Sequence, residues 1–165
     1  MIDLLALWAA ALFRRDLKRH RQERRMGSRA TEPLSRPGET RLHIFSGTFP
    51  SETELISYCF NPLTANGPEQ LNIELPEVSI DTRFVEAAFG DDILLLLEDF
   101  LAPSQRLAVL EKLGDDNAII IVGEDAFGEG GYALHDTARL RHRGFETVPL
   151  PVEWSTTGMI VEPAQ

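Results

Sequence analysis

Between residues 41 and 154 the apolar positions recur with two different periods, and the switches between them mark out the elements. Leu42, His43, Ile44 and Phe45 form a β-prone run that stops at Gly47, which predicts a first strand. Pro50 and Ser51 then precede Glu52, Thr53 and Glu54. A serine with a glutamate three positions on is a capping box, and the helix it opens runs to about Phe60 with Leu55, Tyr58 and Cys59 on one side. Asn66, Gly67 and Pro68 make a turn, after which residues 71–75 read as a short strand. Phe84, Val85, Ala88 and Phe89 suit a strand better than a helix. Asp91 and Asp92 are placed to cap a leucine-rich helix over residues 93–101. Pro103 fits the first turn of the next helix, which carries Leu107, Leu110 and Leu113 on one face and stops at Gly114.

Residues 117–122 (Asn117, Ala118, Ile119, Ile120, Ile121, Val122) are continuously apolar after the asparagine and rich in β-branched side chains. Such a run predicts a strand buried on both faces, at the centre of a sheet. Residues 133–143 are polar and without clear period, and residues 145–150 read as a last strand confined to an edge by Pro149 and Pro151. The pattern predicts an α+β fold: a single domain with a small, mostly antiparallel or mixed sheet and two to four helices packed on it. Residues 155–165 read as a tail.

Upstream the pattern changes. Residues 4–13 are almost wholly apolar and a basic run follows at once, so residues 1–26 read as an N-terminal helix. Residues 27–40 hold two prolines and two glycines without periodicity and read as a linker to a domain over residues 41–154. Ten helical residues reach about 15 Å, half of the roughly 30 Å hydrocarbon core, so this apolar stretch cannot span a bilayer. Basic residues after the apolar stretch reverse the order of a secretory signal. Met26 offers an alternative start, and a membrane-interface role for residues 4–25 ranks below a helix that docks on the domain or a simple leader.

Charge sharpens this division. Residues 1–30 carry eight Lys and Arg against three acids, a net of +5, so residues 31–165 hold −15 of the chain's −10. A domain of that sign is a poor direct ligand for nucleic acid, whose binding draws on phosphate neutralisation, and a natural one for a basic partner. Cys59 is the only cysteine, which rules out an internal disulfide and makes the cytoplasm the expected location.

Motifs add little chemistry. Gly128, Gly130 and Ala133 formally match a dinucleotide fingerprint, but the glycines do not follow a strand directly and little chain remains for a βαβ unit. His43 on a strand is expected to pack or hydrogen-bond, and none of His20, His43, His135 and His142 has metal-site company. Cys59 in an amphipathic helix reads as a buried, inert thiol. The pairs Asp91 and Asp92, Asp115 and Asp116, and Glu124 and Asp125 are better explained by capping, turns and solvation than by a divalent cation. The expectation is therefore no catalytic residues, no metal and no cofactor.

One resemblance supplies a function. His43, Ile44, Phe45, Ser46 and Gly47 are followed by Phe49, Ser51, Glu52, Glu54, Leu55 and Tyr58. Then come Asp81, Thr82, Phe84, Val85, Glu86, Ala87 and Phe89, the leucine-rich helices, and Asn117, Ala118, Ile119 and Ile120. In that order, over about residues 41–122, the chain resembles the Immunity protein 22 family of bacterial polymorphic toxin systems. The resemblance implies a non-enzymatic α+β domain that neutralises a cognate toxin domain by binding it. A nuclease-type toxin, with a basic groove, would suit the acidic domain, and Asp91, Asp92, Asp115, Asp116, Glu124 and Asp125 are the expected toxin contacts. The alternative is an acidic scaffold held at the inner membrane face by the basic N-terminal helix.

Overall fold

The computed structural model describes residues 35–75, 78–128 and 132–154, all within Glu32–Gln165, one of two units into which the chain divides. The expected N-terminal helix and the tail lie outside the described residues. Four strands, β1 (Glu39–Gly47), β2 (Val85–Phe89), β3 (Ala118–Gly123) and β4 (Leu140–Pro149), form an antiparallel sheet in the order β2-β3-β1-β4. Four helices accompany it: α1 (Glu52–Phe60), α2 (Gln70–Glu74), α3 (Asp92–Phe100) and α4 (Pro103–Leu113). The fold is α+β, as the hydrophobic pattern predicts.

Alternation along the two central strands explains the layering, because successive side chains point to opposite faces. Phe45 of β1 and Ala118, Ile120 and Val122 of β3 pack with Leu55, Tyr58 and Cys59 of α1 and Leu71 of α2. Leu42 and Ile44 of β1 and Ile119 and Ile121 of β3 pack on the other side with Ile93 and Leu97 of α3 and Val109 and Leu113 of α4. Every residue of β3 is buried. An unbroken apolar run is the usual mark of a parallel strand, yet here it belongs to an antiparallel sheet with helices on both faces.

Local chemistry sets most element ends. The Ser51 hydroxyl accepts from the Glu54 amide at 3.3 Å and starts α1. Pro103 begins α4, the Gln105 side chain accepts from the Ala102 amide at 3.1 Å, and Gly114, at φ +60°, ends the helix. In β4 the register against β1 slips between His43 and Phe45. The extra residue is accommodated at Gly144, whose φ of +94° favours glycine, so this long edge strand carries a bulge.

Several expectations need correction. Residues 71–75 are not a strand: α2 covers Gln70–Glu74, because Leu71 and Leu75, four apart, face the core while Ile73 between them is exposed. The Asn72 side chain then bonds both the carbonyl and the amide of Ile80, which fixes the chain after the helix. Asp91 holds the capping position of α3 in a helical conformation and makes no side-chain cap; the Ile93 amide bonds the Gly90 carbonyl instead. In α4 the buried face is Val109 and Leu113, and Leu107 is exposed. β1 starts at Glu39, inside the expected linker, and β4 starts at Leu140, five residues before the expected strand. Among the described residues no helix is long and apolar enough to cross a membrane.

Ile120 lies in the middle of β3 with no exposed surface. Ile120→Ala should destabilise the domain by about 2–5 kcal/mol and Ile120→Val by about 1 kcal/mol, read from urea unfolding midpoints. Equal midpoints for both variants and the parent would contradict the two-sided core.

Candidate functional site

The six acids expected to meet a partner are divided between opposite ends of the sheet. Asp91 and Asp92 follow β2 and Asp115 and Asp116 precede β3, and these two turns are joined by a 2.9 Å bond from the Gly90 amide to the Asn117 carbonyl. Glu124 and Asp125 follow the far end of β3, about 20 Å away at the usual rise per residue. No single surface point gathers all six.

Two of them are engaged inside the domain. Asp116 accepts from the buried Ser46 hydroxyl at 2.6 Å and from Arg143 Nη2 at 2.8 Å, while Arg143 Nε donates to the Ser46 oxygen at 2.6 Å. The triad ties β1, β4 and the turn before β3 together. Burial alone would raise the Asp116 pKa, but the Ser46 hydroxyl and the Arg143 guanidinium outweigh it and hold the carboxyl below its ordinary value. The neighbouring Asn117 side chain accepts from the Phe49 amide and donates to the Phe49 carbonyl, both at 2.9 Å, which pins the chain after β1. Glu124 is buried and accepts from the Ser35 amide at 3.2 Å and the Tyr132 hydroxyl at 3.5 Å. Asp91, Asp92, Asp115 and Asp125 are exposed.

A second buried polar cluster surrounds His43. Its Nε2 lies 2.7 Å from the Tyr132 hydroxyl and its Nδ1 3.4 Å from His142 Nε2, with Phe127, Tyr132 and Phe145 rings around it. The Tyr132 hydroxyl thus lies between His43 Nε2 and Glu124 Oε1, and the imidazole tautomer sets which of the two ends of the His43 contact donates. Burial, then the nearby His142 and Arg41, press the His43 pKa down to about 3. An imidazole so poised is neutral and a weak base near neutral pH; it packs and hydrogen-bonds, as expected of a strand histidine. Burial likewise pushes the Cys59 thiol up, away from thiolate chemistry.

A recess of about 420 Å³ opens where β2, α3 and the segment after β4 meet, lined by Glu86, Leu96, Asp99, Phe100, Glu153 and Trp154. Each lining residue has a local reason to be there. Glu86 and Ala88 alternate with Val85, Ala87 and Phe89, so they face the α3 layer. Leu96, Asp99 and Phe100 stand at helical spacing on one side of α3. The Trp154 indole lies over Gly123 so closely that a Cβ there would collide with it, and its ring is 5.3 Å from Phe100 and 6.2 Å from Phe84. Glu86 is only 6% exposed. Among the described residues no three His, Cys, Asp or Glu side chains gather as metal ligands.

Sequence reasoning missed this recess. Its one local signal was an acid, Glu86, at a strand position whose neighbour Ala88 points inward; Trp154 stood beyond the last expected element and gave none. Compared with protein-family models, with curated proteins and with solved structures, the chain matches none.

Two stability measurements test the polar core. Because native His43 takes up a proton only near pH 3 and the unfolded side chain near 6.5, the unfolded state binds more protons between those values. Stability should therefore fall as pH drops below 6.5, with His43 contributing about 1.4 kcal/mol per pH unit. His43→Gln should flatten that slope in urea titrations, and a slope equal to the parent's would refute the buried neutral imidazole. Asp116, with its native pKa depressed, stabilises the fold above the unfolded value of 3.8, and the contribution disappears as pH falls through the native value. Asp116→Asn should cost about 1–3 kcal/mol at neutral pH, with the gap to the parent narrowing in acid.

Proposed function

We propose that this chain is an immunity protein: a domain that binds a cognate bacterial toxin domain and neutralises it by occlusion, without chemistry of its own, in the cytoplasm of the cell that makes the toxin. The observation that carries the reading is the placement of charge. Asp91, Asp92, Asp115 and Asp125 stand exposed at the strand ends of a domain whose formal charge, over residues 31–165, is −15. Acids held on short turns of a rigid sheet keep their positions without further ordering when a partner arrives, which lowers the entropy lost on binding. Potentials of this sign speed encounter with a basic surface and disfavour acidic competitors. The active-site groove of a nuclease-type toxin is such a surface, because it must hold phosphates. The ordered likeness of residues 41–122 to the Immunity protein 22 family supports the same reading.

Of the six acids first expected to contact the toxin, the four exposed ones are the better contacts, since Asp116 and Glu124 are committed to Arg143, Ser46, Tyr132 and the Ser35 amide. Affinity purification of the tagged full chain from its source cell should recover one multidomain protein. The isolated C-terminal domain of that protein should kill cells unless this chain is co-expressed. Recovery of membrane or housekeeping proteins alone, with no toxic partner, would end the proposal. With the toxin in hand, reversal of Asp91, Asp92, Asp115 and Asp125 to lysine should slow association roughly tenfold or more at low salt, with the difference shrinking as salt rises. An unchanged rate would place the interface elsewhere.

A further inference from the structure

We propose that the recess between β2, α3 and Trp154 receives an arginine side chain of the protein partner. This rests on the reading of the chain as a protein-binding module and specifies the chemistry of one anchor. Three carboxylates, those of Glu86, Asp99 and Glu153, line a single opening together with the rings of Phe100 and Trp154 and the side chain of Leu96. Carboxylates beside aromatic faces select for an organic cation: the ring faces attract positive charge, and the exposed carboxylates of Asp99 and Glu153 accept its hydrogen bonds. A guanidinium fits this combination better than an ammonium. It is planar, so it can lie against the indole, it donates through a fork that matches carboxylates, and it is more weakly hydrated, so it gives up less on entering a partly dry recess. Glu86, nearly buried at the strand, gives the recess an acidic wall of low water access.

The surroundings favour a macromolecular donor over a free small cation. Leu95 stands one helical turn before Asp99, on the same side of α3, and is 62% exposed. A large exposed leucine next to a charged recess offers an apolar edge that a partner's surface would cover. Arginine is also among the residues that most often anchor protein interfaces. The formal charge of −15 over residues 31–165 complements a partner rich in arginine.

The test uses the full chain, labelled with nitrogen-15, and titrates it with Nα-acetyl-arginine N-methylamide. The uncharged isostere Nα-acetyl-citrulline N-methylamide is the comparator, and the Trp154 indole resonance is assigned by Trp154→Phe. The arginine probe should move that resonance saturably with an affinity in the millimolar range, and the citrulline probe should not. Asp99→Asn with Glu153→Gln, both at exposed positions, should weaken the response about tenfold or more, whereas Glu52→Gln with Glu111→Gln should leave it intact. No saturable shift, equal response to both probes, or an undiminished response in the Asp99 and Glu153 variant would overturn the proposal. The two readings fail separately. A toxin neutralised with full affinity by the Asp99 and Glu153 variant would keep the immunity reading and remove this anchor. A charge-selective shift at Trp154, with no toxin dependent on the chain, would keep the site and remove the immunity reading.

Discussion

Burial of β1 and β3 on both faces is the constraint from which the rest follows. An antiparallel sheet can leave one face wet, but Ile119 and Ile121 on one side and Ile120 and Val122 on the other each demand a cover. Helices α1 and α2 supply it on one face and α3 and α4 on the other. Once α3 is committed to the Ile93 and Leu97 contacts, its neighbouring side carries Leu96, Asp99 and Phe100 to the margin of β2. The recess is thus a consequence of covering the second face with a helix that lies beside the edge strand β2.

Polar groups inside this frame serve the frame. Among the described residues every buried side-chain nitrogen and oxygen has a hydrogen-bond partner, which is how a native core keeps polar atoms without a large penalty. Ser46 is buried near the end of the inner strand β1 and is matched by Asp116 and Arg143; His43 is matched by Tyr132 and His142. The result is a division of labour among the acids. Those at sheet ends that meet a hydroxyl or guanidinium stabilise the fold, and those that meet only water are left to set the field that an incoming partner experiences.

That division bears on how an acidic protein achieves selectivity. Diffuse negative charge accelerates approach to any basic surface, but it does not choose among them, because solvated charges beyond about 8–10 Å are screened at ordinary salt. Selectivity needs a place where a cation is partly desolvated and its shape is read. The recess at Trp154 combines a nearly buried carboxylate, two exposed ones and two ring faces within one opening, whereas the turns at Asp91, Asp92 and Asp115 offer charge alone.

Much of the architecture was legible in the chain. The β-branched run of β3 announced two covered faces, Ser51 and Pro103 announced helix starts, Gly114 a helix stop, and the prolines near residue 150 an edge strand, because each acts through local sterics or hydrogen bonding that needs no distant partner. The short helix α2 was misread because five residues are too few to separate the two periods; what decides it is that Leu71 and Leu75 both find the core and Ile73 does not. The fates of the acids were not legible at all. Asp115 and Asp116 are adjacent and chemically identical, yet only the second lies within reach of Ser46 and Arg143, seventy and twenty-seven residues away. Glu86, Asp99 and Trp154 likewise share an opening only because β2, α3 and the chain after β4 converge there. By itself the sequence determined most of the segments that become strands and helices and the sign of the domain's charge, both local or additive properties. Only the tertiary structure decided which charges stay exposed and which groups share a site, because those depend on contacts between residues far apart in the chain.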